Sequence, residues 1–201
     1  MQTGDGEKPD RYGHTHFLGL SGQFYVAHCL TRRGFHAAIT LGNAPNVDII
    51  VAHASGSAAL SIQVKTSTDA CGKHFGKEAG EWRVSRSVFR WATKNLWYAL
   101  VDMPMDCSKN PVVFIVPSLW IAGFLKLQMT DAKIRSQYPT VCTRAEAFYY
   151  LVKDLWPCCK ERWDRIGEFL QNGVLPWCES CPDSGRDWKD KHRWGKCVRS
   201  L

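Results

Sequence analysis

The amino-acid sequence predicts an α/β domain in which helices flank a mixed β-sheet. Three observations indicate this class: a helical hydrophobic pattern near the start, several β-branched and aromatic runs in the middle, and amphipathic segments afterwards. An order of helix, several strands and helix is typical of helices layered on a sheet. Hydrophobic residues make up 45% of the 201 residues, enough for one ordinary core. We therefore expect one domain with a small appendage.

The first predicted element is a helix that follows a loose polar arm, residues 1–16. Apolar residues recur at spacings of three and four, which places them on one helix face: Leu20, Phe24, Ala27 and Leu30. Ser21 is a candidate cap for the helix start. Arg32 and Arg33 followed by Gly34 form a typical stop, since cations suit the negative end of a helix and glycine suits a left-handed turn.

Strands are predicted in the central part of the chain, where β-branched and aromatic residues are enriched. The predicted strands are 35–41, 47–53, 59–66, 81–85, 96–103 and 112–118. Glycine and threonine breakers with mixed charge predict a loop over 67–80, and a helical turn is expected through Trp91. A second helix is predicted directly after Pro117.

A long amphipathic stretch over residues 143–171 is predicted to close the core as a helix. Its apolar residues recur at helical spacing, and Pro157 is expected to break or kink it: Phe148, Leu151, Leu155 and Trp156. The main domain is therefore expected to span 17–171. Beyond it, residues 172–201 form a tail rich in Cys, Trp and Lys/Arg.

Charge and cysteine content narrow the functional classes. The formal net charge is +7 and the pI about 9.0, which favours a polyanionic partner such as nucleic acid. No apolar run reaches the roughly 18 residues of a membrane span, and the polar start lacks the apolar core of a signal peptide. We expect a reducing, bacterial-type cytoplasm with most of the nine cysteines reduced. The scattered ones are expected to be small buried hydrophobes: Cys29, Cys71, Cys107 and Cys142.

The stretch from 46 to 67 places polar residues inside two predicted strands. Strand alternation puts Gln63 and Lys65 on one face of the second strand. If His53 pairs with Ala58 across the turn, then Asp48 lies opposite Gln63. A carboxylate, an amide oxygen and the backbone carbonyl of Val64 are hard donors suited to Mg²⁺, and a neighbouring lysine can orient water or stabilise developing charge.

The Asp followed by Gln-Val-Lys resembles the PD-(D/E)XK nuclease superfamily, which includes restriction endonucleases and Holliday-junction resolvases. That family has a core of a helix, a three-stranded antiparallel meander, a helix and another strand. The order of elements over residues 17–125 is similar, and "WYALVDM" and "VVFIVPSLWIAGFL" resemble bacterial predicted endonucleases of unassigned biology. The resemblance implies a restriction-endonuclease-like core.

The resemblance also implies roles for individual residues. Asp48 matches the metal-binding acid and Lys65 the catalytic lysine, while Gln63 stands where the family usually has Asp or Glu. Gln23 stands where the first helix often supplies a glutamate. The implied protein is a Mg²⁺- or Mn²⁺-dependent DNA endonuclease, with a homodimer suited to double-strand cleavage. With two glutamines in acid positions, Asp69 or Glu81 are candidate replacement carboxylates.

Other interpretations of the same residues stay open. Asp48 can be a turn former, with Gln63 and Lys65 on the solvent face of an edge hairpin. The fold can also carry a decayed site that binds nucleic acid without cutting it, which the two glutamines favour. A small toxin or effector would use the same chemistry.

The tail contains a second candidate metal site. Cys178 and Cys181 form a C-x₂-C pair, and His192 and Cys197 follow at H-x₄-C spacing, close to a Cys₃His zinc pattern. The basic residues interleave with tryptophans, which suits phosphate contact and base stacking. A frayed basic tail with incidental cysteines is the alternative.

Overall fold

The computed structural model describes residues 11–41, 44–74, 76–130, 132–137 and 146–175, and these form two β-sheets with helices packed around them. The helices are α1 (Arg11–Thr31), α2 (Val88–Trp91), α3 (Ser118–Thr130), α4 (Ala132–Gln137), α5 (Trp156–Cys159) and α6 (Asp164–Asn172). The strands are β1 (His36–Ile39), β2 (Ile49–Ala52), β3 (Ala59–Thr68), β4 (Cys71–His74), β5 (Lys77–Ser85), β6 (Leu96–Met103), β7 (Val112–Pro117) and β8 (Glu146–Val152).

The larger sheet has five strands in the order β1-β2-β3-β6-β7. Strands β1, β2 and β3 form an antiparallel meander, β6 pairs with β3 in parallel, and β7 returns antiparallel to β6. The predicted mixed sheet flanked by helices is therefore confirmed. A smaller antiparallel sheet, β4-β5-β8, was not predicted as a separate sheet.

Two apolar cores lie on opposite faces of the larger sheet. The α1-side core joins α1 and α6 to the sheet through residues such as Leu30, Ile62 and Phe169. The α3-side core joins the other face to α3 and the smaller sheet through residues such as Trp82 and Phe124. Strand β6 contributes to both, because Trp97 and its alternate neighbours face one core while Tyr98 and its alternate neighbours face the other.

Helix α1 differs from its prediction at the start and agrees at the end. It begins at Arg11, so residues 11–16 of the predicted loose arm are helical. Ser21 does not cap it, because its hydroxyl donates to the Phe17 carbonyl within the helix (2.8 Å). Gly34 has a φ of +84°, the left-handed turn that the sequence predicted after the last helical residues.

Two predicted elements are wrong. The expected loop over 67–80 is instead the end of β3 followed by the β4–β5 hairpin. The expected helix over 143–171 contains strand β8, a single 3₁₀ turn over Lys153–Leu155, and helices α5 and α6. Strand β8 forms because "EAFYYLV" is rich in aromatic residues and β5 offers a long partner strand. Pro157 stands in the first turn of α5, where a missing N–H costs nothing.

Candidate active site

Asp48 is the centre of the candidate site, and its backbone is fixed between two strands. It directly precedes β2, its N–H donates to the Ile62 carbonyl (2.9 Å), and its carbonyl accepts from the Thr40 N–H (2.9 Å). The pairing of β2 with β3 runs from Ala52 with Ala59 to Ile49 with Ile62. Continuing that register by one position sets Asp48 opposite Gln63, which confirms the register predicted from the sequence.

The alternation along β3 is also as predicted. Ile62 and Val64 are buried, whereas Gln63 and Lys65, which alternate with them along the strand, are partly exposed. Ile50 on the neighbouring strand is 45% exposed while the residues on either side of it are buried. This margin of the larger sheet is therefore open to solvent on the face that Gln63 and Lys65 share.

The Asp48 carboxylate accepts two hydrogen bonds. The Gln23 side-chain amide donates to Oδ1 (3.1 Å), and the Val64 backbone N–H donates to Oδ2 (2.7 Å). The β2–β3 pairing ends at Ile62, so the Val64 peptide lies beyond the ladder and meets a side chain in place of a backbone partner. The structure thus brings Gln23, Asp48 and the Val64 peptide together.

Gln23 reaches this carboxylate because α1 lies unusually close to β3. The preceding residue, Gly22, faces Thr66, and a Cβ at Gly22 would lie 1.9 Å from Thr66 Oγ1. The Thr66 hydroxyl is buried under the helix and has no hydrogen-bond partner in the described part of the chain. A glycine is therefore required at this crossing by space, and the close approach places the next side chain beside Asp48.

Burial dominates the electrostatics of Asp48. Desolvation raises the pKa of the carboxyl above its ordinary value, and the Val64 N–H and the charge of Lys65 act in the opposite direction. Lys65 therefore lies within electrostatic reach of Asp48. The carboxylate is held in a place where its negative charge is costly, so a cation beside it would be stabilising.

Tyr98 is a site residue that the sequence did not reveal. It is buried, it pairs with Gln63 in the parallel β3–β6 register, and its pKa is raised by burial and then by the charge of Asp48. The signal that could have identified it is the parallel pairing of β3 with β6. Local sequence patterns do not determine which distant strand lies beside β3.

The two candidate replacement carboxylates lie elsewhere. Glu81 Oε2 is 3.1 Å from His74 Nδ1 on the smaller sheet, and it also hydrogen-bonds Tyr150. Asp69 follows β3 in a left-handed conformation, and its N–H donates to the Met103 carbonyl. Within the described ranges no group of three or more His, Cys, Asp or Glu side chains could hold a metal ion. A cation at Asp48 would therefore depend on amide and carbonyl oxygens as well.

The predicted zinc ligands, Cys178, Cys181, His192 and Cys197, lie outside the described residues. Of the five cysteines in the described part of the chain, Cys158 is disulfide-bonded and the other four are free: Cys29, Cys71, Cys107 and Cys159. Cys107 is exposed, which contradicts its expected burial. Cys29 is buried as expected.

The fold can be compared with the class that the sequence resemblance implies. Helix α1, the antiparallel β1–β2–β3 meander, and β6 parallel to β3 follow the order of elements expected from that resemblance. One departure is the crossover between β3 and β6, where the β4–β5 hairpin and the single turn of α2 stand in place of a full helix. No helix within the described ranges is long and apolar enough to span a membrane.

Among solved structures, one similar protein is a bacterial homing endonuclease, I-Ssp6803I. The two chains are 14% identical with a TM-score of 0.44, and the match covers 79% of this chain and 95% of that one. No family model matches the chain. No curated protein matches it either.

Proposed function

We propose that this chain is a metal-dependent DNA endonuclease of the PD-(D/E)XK type, with a Gln-x-Lys variant of the usual motif. The observation that carries the proposal is the meeting of Asp48 with Gln23 and the Val64 peptide, with Lys65 in electrostatic range, at an open margin of the sheet. A carboxylate that can bind a cation and a lysine that can stabilise developing charge are groups that metal-assisted phosphodiester hydrolysis can use.

The donor set fits Mg²⁺ or Mn²⁺. Asp48 offers a carboxylate, Gln63 an amide oxygen, and Val64 a backbone carbonyl beyond the end of the β2–β3 ladder. These are hard oxygen donors with a total charge of −1, so binding should be weaker than at a site with two or three carboxylates. A bound ion would supply charge neutralisation for the phosphate and a more acidic water.

The protein residues have separate roles in this proposal. Lys65 stabilises the charge that develops on the phosphate and orients the attacking water. Gln23 positions Asp48, and its amide can rotate to present its oxygen instead of its NH₂ group. Tyr98 lies buried beside Gln63 on the neighbouring strand β6, so it shields that side of the strand position from solvent.

The net charge of +7 supports DNA as the partner. A homodimer would place two such sites on opposite strands, and we include it in the proposal for double-strand cleavage. We also include a reducing cytoplasm in the proposal: four of the five described cysteines are free, whereas the disulfide at Cys158 is unusual for that compartment.

One observation favours a second candidate function, which is binding of nucleic acid without cleavage. The Gln23 amide donates to Asp48 Oδ1, so this carboxylate is satisfied by hydrogen bonds where an active site would have a second acid. A protein with such a site would still bind nucleic acid through its basic residues but would not hydrolyse the phosphodiester bond.

Plasmid nicking distinguishes the two functions. With Mg²⁺ or Mn²⁺, the parent protein should convert supercoiled DNA to the nicked form. Lys65→Ala and Asp48→Asn should each reduce the rate by about 10²-fold or more, the typical effect of removing one charge-stabilising group. Lys109→Ala is the matched control, because that lysine is exposed in the turn between β6 and β7, and it should nick at the parent rate.

Two results would contradict the nuclease. A parent protein that binds DNA but does not nick it with either metal would support the non-cleaving alternative. Nicking that persists in both Lys65→Ala and Asp48→Asn would show that the site lies elsewhere.

A further inference from the structure

The segment between β5 and β6, residues 86–95, carries a concentration of cations and an exposed tryptophan. It contains Arg86, Arg90 and Lys94 and no acidic residue. Helix α2 forms its middle part, and Trp91 at the end of that helix is 44% exposed. We call residues 86–95 the platform segment.

The platform segment is anchored beside the candidate active site. The Ser87 hydroxyl donates to Asn46 Oδ1 (3.0 Å), and Asn46 lies two residues before Asp48 on the same loop. Val88 inserts into the α3-side core and is 1% exposed. The start of the platform segment is therefore held against the loop that carries the candidate metal ligand.

The other end of the platform segment is held against α3. The Ser118 hydroxyl donates to the Thr93 carbonyl (2.9 Å) and accepts from the Thr93 N–H (3.1 Å). Asn95 then accepts from the Ser61 N–H at the start of β3 (2.8 Å). With both ends fixed, Trp91 is exposed on a backbone that has little freedom to bury it, so its ring stays available to a ligand.

Trp91 also has a cation over its ring. The Arg90 guanidinium carbon lies 5.1 Å from the ring centroid, and both side chains are exposed. An aromatic ring with an adjoining guanidinium is suited to a nucleobase, since the base stacks on the ring and the cations hold the flanking phosphates. A base inside an intact duplex has both faces covered by its neighbours and cannot stack on a protein side chain.

We propose that the platform segment binds an unpaired nucleotide next to the scissile phosphate, with its base stacked on Trp91. This inference rests on the proposed function, and it names the substrate class as DNA that contains an unstacked nucleotide, such as a single-base bulge. Arg90 and Lys94 contact the phosphates on either side of that nucleotide.

Fluorescence of 2-aminopurine tests this proposal without cleavage. The full chain is titrated, in EDTA, into a 25-base-pair duplex that carries one bulged 2-aminopurine, and into the same duplex with 2-aminopurine paired to thymine. We expect quenching and about tenfold tighter binding for the bulged DNA, because stacking of one base on an aromatic side chain has an effect of this order. Trp91→Leu should abolish both the quenching and the preference, and Trp91→Phe should restore much of each.

Phe17→Leu is the matched control, since Phe17 is also an exposed aromatic residue, on α1. It should leave the quenching and the preference unchanged. Equal affinity for the two DNAs, or quenching that survives in Trp91→Leu, would overturn the stacking proposal while leaving the nuclease proposal intact. Failure of the parent protein to bind either DNA would overturn both.

Discussion

At the scale of single residues, Asp48 combines a raised pKa with hydrogen bonds from two donors, the Gln23 amide and the Val64 N–H. The donors hold the carboxylate in position, yet burial still makes its charge unfavourable. Such a residue destabilises the metal-free protein at neutral pH, and it gains from any cation that binds beside it. Stability measurements can therefore report on this site independently of activity.

Asp48→Asn should change the pH dependence of stability in a defined direction. The pKa of Asp48 is higher in the folded protein than the ordinary 3.8. Protonation of this carboxyl therefore contributes its full stabilisation below pH 3.8, and that stabilisation is lost as the pH rises through the folded pKa. The asparagine variant keeps an acceptor for the Val64 N–H, and the Gln23 amide can rotate to accept from the new NH₂ group. In EDTA, the stability of the variant relative to the parent should rise as the pH increases from 3.8 through the folded pKa of Asp48. Urea unfolding at several pH values measures this change.

Added metal should reverse this effect, because it stabilises the parent protein and not the asparagine variant. Millimolar Mg²⁺ at neutral pH should stabilise the parent and raise its unfolding midpoint, since only the folded protein presents the site. Asp48→Asn should show no such increase. A parent whose midpoint does not respond to Mg²⁺ or Mn²⁺ would contradict the proposed metal site.

At the scale of elements, the contact between α1 and β3 positions the site. Gly22→Ala would place a methyl group against Thr66, and relief requires the threonine to rotate or the helix to move. We expect a loss of about 1–3 kcal/mol in the free energy of unfolding, typical of overpacking, and weaker metal binding because Gln23 moves with the helix. Denaturant unfolding and a Mg²⁺ titration measure the two effects.

Gly19→Ala is the control in the same helix. A Cβ at Gly19 meets nothing within 4 Å, so the substitution should stabilise the protein by up to about 1 kcal/mol through helix propensity alone. If Gly22→Ala behaves like Gly19→Ala, then α1 does not press on β3 at Thr66.

Elements were predicted correctly where the pattern that defines them lies within a short stretch of sequence. The β2–β3 register followed from a hydrophobic alternation and a short turn, both contained within residues 48–64, and it was correct. Strand β8 was predicted as helix because both of its faces are buried, from Tyr149 to Val152, so no alternation marked it as a strand. Its pairing with β5 spans more than 60 residues of sequence, and no local pattern encodes that partner.

In the candidate site, too, relations within one hairpin were predicted, and contacts from distant elements were not. The relation of Asp48, Gln63 and Lys65 was predicted because all three belong to one hairpin. The contribution of Tyr98 arises from a parallel pairing with a strand on the far side of the β4–β5 hairpin. The hydrogen bond from Gln23 to Asp48 depends on how closely α1 packs on β3, which Gly22 permits opposite Thr66 and which no local sequence pattern encodes.

At the scale of the whole molecule, the charge of +7 predicts a strong salt dependence of DNA binding. Each phosphate neutralised releases counterions, so four such contacts would reduce affinity by about 10²-fold when salt rises from 50 to 200 mM. Fluorescence anisotropy with a labelled duplex in EDTA measures this slope. An affinity that is independent of salt would contradict the nucleic-acid partner in both the cleaving and the non-cleaving form.

The two cores on opposite faces of the larger sheet have a consequence for synthesis on the ribosome. The α1-side core needs Trp163 and Ile166, and the α3-side core needs Leu151 and Cys159, although all five strands of the larger sheet have been made by Pro117. A nascent chain ending near that proline would lack α3 and α6, so apolar surface would stay exposed on both faces of the larger sheet, and β5 would lack its β8 partner. Neither core can therefore be completed before the last helix has been made. We expect the two faces of the larger sheet to be buried in one cooperative step once α6 has emerged.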